Sequence, residues 1–172
     1  FKNWRGMQES GGRRIKRSLF INVRSIKFVD PETRERYKRY YLITDYVTQR
    51  QRQIEEFNEA NNFDTSELIN GRRMTNVGVF RHYAEEYLKA NKRIRQDMSL
   101  MVRHLAIEDR GLPIEIYCFT NTIRWTEYEE IQADIFDHLI AATAHFDLEI
   151  FQQPSGSDII SAVEGLGARK VL

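Results

Sequence analysis

The sequence predicts an α+β fold, in which two helices lie on one face of a four-stranded antiparallel sheet and further helices are inserted after the first strand. Three observations support this prediction. Residues 112–120 are apolar at nearly every position, which is typical of a central strand covered on both faces. Residues 126–145 carry apolar side chains at helical spacing. Shorter segments with strand-like alternation flank these two elements.

The first strand is predicted at residues 14–22, where apolar and polar side chains alternate. Ile15, Leu19 and Ile21 fall on one side of this strand, and Arg17 is the exception to the pattern. The side that carries Ile15 is therefore expected to face the core.

A helical insertion is predicted within residues 31–75. After a short extended run at residues 25–29, residues 32–60 contain helix formers of mixed charge and neither Gly nor Pro. They predict two helices, or one helix broken near Thr44. Residues 61–71 form a polar connector.

The next three elements complete the pattern of the first half. A helix is expected to begin with Asn76 as its N-cap and to run to Ala90. Strands at residues 98–107 and 112–120 follow, and turn residues at 109–111 separate them.

The last long helix is the most clearly marked element. Thr126 and Glu129 have the spacing of a capping box, and the helix is expected to end near His145. A final strand is predicted at residues 148–152. The inner face of the helix is defined by Ile131, Ile135, Phe136, Leu139, Ile140 and Thr143.

Without the insertion, the order of elements is βαββαβ, the ferredoxin-like two-layer sandwich, in which strands one and three are central. Because both helices lie on one face, Tyr117 and Phe119 on the other face need a cover. We expect the inserted helices or another subunit to provide it. Tyr117 and Phe119 are therefore the candidate oligomer or sheet-covering surface.

Composition narrows the class of protein. The chain has 172 residues, of which 41% are hydrophobic and 30% charged, so one main domain with appendages is expected. No stretch reaches the roughly 18 uncharged apolar residues of a membrane helix. The single cysteine, Cys118, has apolar neighbours and is expected to be a buried thiol. Residues 1–7 resemble the end of a preceding domain, so we interpret the chain as a fragment without its own targeting signal.

Catalytic and metal sites find little support. Asp134 and His138 lie one helical turn apart, and His145 lies two turns further, but no Cys or His completes a metal shell. His82 and His104 have no evident catalytic partner, and no nucleophile signature is present. We therefore predict no enzyme activity, no metal, no cofactor and no small-molecule substrate.

Glycines beside paired arginines, at residues 10–14 and 70–73, have the composition of an anion-binding loop, but the Walker spacing is missing. A solvated linker is the favoured interpretation for both. Residues 13–17 also form a basic arm, and its anion-contacting candidates are Arg13, Arg14, Lys16 and Arg17.

An RNA- or small-ligand-binding module is the alternative function. Ferredoxin-like sheets stack bases on exposed aromatic rings, and Tyr117 and Phe119 lie beside this basic arm. Against it, the net charge is only +1 and an RNP1-type sequence is absent, so no nucleic-acid partner is expected.

Several segments together resemble the MscS-like family of mechanosensitive ion channels, in its miniconductance (YbdG-like) branch. Those of the closing half are residues 114–122 (IEIYCFTNT), 125–128 (WTEY), 132–137 (QADIFD) and 151–156 (FQQPSG). Those of the opening half are residues 1–7 (FKNWRGM), 9–17 (ESGGRRIKR) and 70–76 (NGRRMTN). The insertion at residues 31–75 departs from the small-conductance prototype and is similar to the YbdG-like branch.

The resemblance implies a bacterial inner-membrane ion channel that opens under membrane tension in hypo-osmotic shock. Residues 1–12 would be the tail of a small β domain and a linker, and residues 13–156 the cytoplasmic α/β domain. Residues 157–172 would be a C-terminal tail. In the family this domain assembles as a homo-oligomeric, heptameric vestibule whose portals filter solutes. The membrane helices and the pore would precede residue 1, so no pore-lining residue is expected here.

Overall fold

The structure, a computed structural model, describes residues 11–171, without the side chains of Asp158 and of residues 168–171. The segment predicted to be the tail of a small β domain thus lies outside the described residues, except for Gly11 and Gly12.

A three-stranded antiparallel sheet forms the centre of the fold, with the order β1-β3-β2. Its strands are β1 (Arg14–Ile21), β2 (Met101–His104) and β3 (Leu112–Phe119). The register of β1 and β3 runs from Arg14 opposite Phe119 to Ile21 opposite Leu112. The apolar strand β3 is central, as its sequence predicts.

The predicted fourth strand is reduced to one β-bridge, Ile21 with Ile150. Two backbone hydrogen bonds frame it: the Phe151 amide donates to the Phe20 carbonyl at 2.7 Å and the Asn22 amide to the Glu149 carbonyl at 2.8 Å. The segment therefore lies beside β1, where the βαββαβ order predicts it, but it is too short to count as a strand. The α+β class is confirmed.

Five α-helices and three short 3-10 turns are present in the described residues. The helices are α1 (Pro31–Tyr37), α2 (Thr44–Ala60), α3 (Asn76–Ala90), α4 (Trp125–Ala142) and α5 (Gly156–Val171). The 3-10 turns are Val23–Ser25, Tyr41–Ile43 and Thr143–Phe146. The helical break in the insertion thus extends from the end of α1 to the start of α2.

Several predicted helix ends are wrong. Thr75, not Asn76, caps α3, because its hydroxyl accepts a hydrogen bond from the Gly78 amide at 3.1 Å. Thr126 lies inside α4, whose N-cap position is occupied by Arg124 without a side-chain cap bond. Ile140 is 43% exposed and does not belong to the inner face.

Two predicted strands are also shorter than expected. The strand predicted at residues 98–107 is confined to Met101–His104, and the extended run at residues 25–29 contributes one bridge, Phe28 with Thr75.

The core lies between the sheet and helices α3 and α4, and the inserted helices extend it. Tyr37, Ile43 and Val47 of the insertion are fully buried in the same cluster as the sheet residues. The rings of Tyr37 and Phe146 lie 5.2 Å apart. Burying such a side chain contributes about 1.5–3 kcal/mol, so the insertion is an integral part of one core.

Helix α5, in the predicted C-terminal tail, lies outside this core. Its apolar side chains are between 56% and 62% exposed: Ile159, Ile160, Val163 and Leu166.

Candidate functional site: the open face of the sheet

The sheet face opposite α3 and α4, called here the open face, follows from the strand register. Directly paired residues of an antiparallel sheet point to the same side, and successive residues alternate. Ile15 pairs with Cys118 on the core side, so their neighbours point away from it. The open face consists of Arg14, Lys16, Ser18, Phe20, Met101, Arg103, Pro113, Glu115, Tyr117 and Phe119.

Aromatic and cationic side chains share the centre of the open face. The rings of Tyr117 and Phe119 are partly exposed and meet edge to face, with centroids 5.8 Å apart. The Arg14 guanidinium lies 5.9 Å from the Tyr117 ring. Met101, 41% exposed, pairs with Tyr117 from the neighbouring strand. A partner surface would meet an apolar centre with a positive edge.

An ion pair with a buried carboxylate lies on the same face. The Arg103 guanidinium donates to the Glu115 carboxylate at 2.9 Å, and the Glu115 side chain is only 5% exposed. The two residues are directly opposite in the register. An unpaired carboxylate buried this deeply would cost folding free energy. Arg103 offsets this cost because its positive charge compensates that of Glu115.

Within one chain, the inserted helices do not cover Tyr117 and Phe119, which corrects that part of the prediction. The insertion instead packs on the helical layer: Tyr46 of α2 stacks on His82 of α3 at 3.9 Å. In the described residues, no side chain of the open face stacks on or bonds to a helical side chain. The two predicted covers were the inserted helices and another subunit. A cover by another subunit stays a prediction.

The basic arm is divided between two faces. Arg13 lies over the Tyr128 ring at 4.6 Å and Arg17 over the Phe136 ring at 4.3 Å, both on α4. These cation–π contacts explain why Arg17 breaks the apolar alternation of β1. Arg14 and Lys16 point to the open face. The four residues are thus not one anion site, and contact of the arm with an anion stays a prediction.

The two glycine-arginine loops have structural roles. A Cβ on Gly12 would lie 2.5 Å from the Thr120 carbonyl oxygen. Gly71 has φ +70°, and a Cβ there would lie 2.4 Å from Asn58 Oδ1. Asn58 in turn holds the backbone amide and carbonyl of Arg72 at 2.8 and 2.9 Å. Close backbone packing therefore accounts for both glycines.

His138 and Asp134 of α4 have protein partners. The His138 ring stacks on Tyr87 at 4.1 Å and shares a 2.6 Å hydrogen bond with the Tyr83 hydroxyl. Desolvation in this stack lowers the pKa of His138. Asp134 instead pairs with Arg93 at 2.7 Å. Among the described residues, no three His, Cys, Asp or Glu side chains are grouped closely enough to hold a metal ion.

Sequence reasoning did not identify Met101, Arg103 and Glu115 as parts of the open face. The signal was available in the register: each lies directly opposite a residue already placed there, or an even number of residues from one. To predict that Met101 pairs with Tyr117, one must know where β2 begins and ends. The alternating pattern of residues 98–107 does not define these ends.

The fold and the open face define a two-layer α+β module with one unpartnered sheet surface. Residues 75–150 match the family model described as "Mechanosensitive ion channel MscS, C-terminal". This match confirms the predicted MscS-like family over the C-terminal domain, and the assignment to the YbdG-like branch stays a prediction.

A known relative agrees with this assignment. The "Low conductance mechanosensitive channel YnaI" of Escherichia coli (strain K12) is 36% identical over 64 residues. That alignment covers 37% of this chain and 19% of YnaI, so the aligned part is about a fifth of the relative. In the part of the chain that the structure describes, no helix is long and apolar enough to cross a bilayer.

Proposed function

We propose that the chain forms part of the cytoplasmic vestibule of an inner-membrane ion channel opened by membrane tension in hypo-osmotic shock. Its role there is assembly and solute filtering, without catalysis. The observation that carries the proposal is the match of residues 75–150 to the MscS C-terminal domain. Membrane helices, on a longer protein that contains this chain, would supply the pore. Residues 13–156 would act as one α/β unit, since β1 pairs along its whole length with β3.

The open face is the proposed contact between copies of the chain. Tyr117, Phe119 and Met101 leave apolar surface exposed, and Arg14 and Lys16 border it. Burying an aromatic side chain contributes roughly 1.5–3 kcal/mol, and a ring of subunits repeats this gain at each interface. A closed homo-oligomer, a heptamer by family resemblance, is the proposed assembly.

The experiment that tests the assembly compares two acidic substitutions of tyrosine. Native mass spectrometry and sedimentation velocity over a concentration series give the oligomeric state of the wild type, of Tyr117→Asp and of Tyr41→Asp. Tyr41 is 86% exposed on the inserted 3-10 turn, so it is the matched control. We expect Tyr117→Asp to be monomeric and Tyr41→Asp to assemble like the wild type.

The complete gene gives the functional readout. In bacteria lacking their own mechanosensitive channels, the wild-type gene is expected to restore survival of hypo-osmotic shock, and the Tyr117→Asp gene to fail. Equal assembly of both tyrosine variants would contradict the interface. Survival without any tension-activated current would contradict the channel function.

The RNA-binding alternative is tested on the same protein. A steep salt-dependent affinity for single-stranded RNA that is lost in the Arg14→Ala, Lys16→Ala double variant would favour it, because these two cations share a face with Tyr117.

A further inference from the structure

A polar cleft of about 490 Å³ lies between α2 and α3, away from the open face. Residues 73–75 close one end of it, and the two helices supply the walls. Its size falls within the range of roughly 300–1,000 Å³ that is usual for small-molecule sites. The polar side chains that line it are Gln49, Arg50, Gln53, Arg73, Arg81 and His82.

The cleft is positively charged. Arg50, Arg73 and Arg81 line it, and no carboxylate does. Among the described residues, none of these three arginines has an acidic side chain within ion-pair distance. The ion pairs found there all involve other arginines or lysines. Three half-buried arginines therefore line one cleft without an acidic partner in the part of the chain that the structure describes.

The chain also holds these three arginines in place through uncharged groups. The Arg73 guanidinium donates from Nε to the Leu68 carbonyl at 3.2 Å and from Nη2 to the Thr65 carbonyl at 2.8 Å. The Arg81 guanidinium donates from Nη1 to the Val102 carbonyl at 3.4 Å. Arg81 Nη2 also lies 3.2 Å from His82 Nε2, and Arg50 donates from Nη1 to Gln53 Oε1 at 3.4 Å. These uncharged groups orient the guanidinium groups but do not neutralise their charge.

Phosphate is the anion that matches this donor set. Guanidinium forks bind phosphate oxygens through paired, charge-assisted hydrogen bonds. Gln49 and Gln53 lie on the same helical face as Arg50 and add neutral amide donors. The stacked rings of Tyr46 and His82 form a flat wall beside them.

We propose that this cleft binds a small phosphate-bearing molecule, with Arg50, Arg73 and Arg81 as its phosphate contacts. The volume exceeds the need of a single phosphate ion, so a diphosphate or a phosphorylated organic molecule fits it better. The proposal departs from the expectation that this domain takes no small molecule, and it does not depend on the proposed channel function.

Titration of the full chain with inorganic phosphate, pyrophosphate and adenosine diphosphate tests the site. Calorimetry gives the affinity, and backbone amide NMR shifts give the location. We expect pyrophosphate and adenosine diphosphate to bind more tightly than inorganic phosphate and to shift amides of residues 46–53 and 73–82. Arg50→Ala is expected to weaken binding about tenfold or more, the loss of charged hydrogen bonds.

Arg52→Ala is the matched control, because it removes the same charge from an exposed position outside the cleft lining. Gln53→Glu adds a carboxylate to the cleft at an exposed position, which keeps the variant folded and is expected to abolish binding. Phosphatidylglycerol vesicles identify the source of the phosphate: Arg50-dependent binding to vesicles alone would assign a lipid headgroup. No binding of any probe, equal loss in Arg50→Ala and Arg52→Ala, or shifts confined to the open face would overturn the proposal.

Discussion

Glu115 is a nearly inaccessible carboxylate on a sheet face whose other side chains are mostly exposed or partly exposed, and Arg103 is its cationic partner. Replacing Arg103 by alanine removes the 2.9 Å hydrogen bond and leaves the carboxylate unpaired. The Arg103 side chain is 48% exposed, so water can replace part of the interaction. We expect Arg103→Ala to lower the free energy of unfolding by about 1–2 kcal/mol, measured by urea denaturation at pH 7.

A double-mutant cycle separates this pair from general surface effects. Glu115→Gln keeps the shape of the side chain and removes its charge, so Arg103→Ala should cost less in that background. Arg124→Ala, which breaks an exposed pair with Glu127, is the control and should change stability by less than about 0.5 kcal/mol. Strict additivity of Arg103→Ala and Glu115→Gln would show that the two side chains do not interact.

At the scale of elements, the sequence predicted best where burial has a clear period. The position of β1 follows from alternation, that of β3 from a continuous apolar run and that of α4 from helical spacing. The burial of Ile15, Leu19 and Ile21 matches the alternation of β1. The ends were less predictable, because caps depend on local geometry. Thr126 has the sequence of a capping-box N-cap, yet the N-cap position of α4 is Arg124, two residues earlier.

The elements of the candidate site show the same limit. The βαββαβ order, with both helices on one face, led to the prediction that Tyr117 and Phe119 lie on the other face and need a cover. In the structure both side chains are partly exposed. The direction in which the insertion folds could not be read from its composition. Tyr37 packs on Phe146, more than 100 residues away in the chain, and such long-range packing has no local signal.

Helix α5 contributes little to the folded body. Its described apolar side chains, Ile159, Val163 and Leu166 among them, are all more than half exposed. Ending the chain after Ser155 should therefore change the free energy of unfolding of the body by less than about 0.5 kcal/mol. Urea denaturation followed by the near-ultraviolet signal of the core tyrosines measures it. A loss of 2 kcal/mol or more, about the value of one buried aliphatic side chain, would mean that α5 packs on the body.

At the scale of the whole molecule, the helical insertion and the sheet share one core. Hydrogen bonds from tyrosine hydroxyls also connect segments that are distant in the sequence. Tyr37 of α1 donates hydrogen bonds to the Phe146 carbonyl and to Asp147 Oδ2, each at 3.0 Å. Tyr128 of α4 donates to the Arg14 carbonyl of β1 at 2.8 Å. Burial raises the pKa of both tyrosines, so their protonated forms are part of the folded structure.

Alkaline pH should therefore unfold the protein progressively. Burial, reinforced by the Asp147 carboxylate, raises the pKa of Tyr37, and burial raises the pKa of the Cys118 thiol to about 12. An unfolded chain releases these protons near pH 8.5 for Cys and 10 for Tyr, roughly the ordinary values, whereas the folded chain retains them. Stability is then complete below about pH 8.5 and falls above it, by at most about 1.4 kcal/mol per pH unit for each group.

Urea denaturation between pH 7 and 11 measures the slope, and Tyr37→Phe should be less stable at pH 7 but lose stability less steeply above pH 10. Parallel curves for the wild type and Tyr37→Phe would show that this hydroxyl does not couple folding to pH.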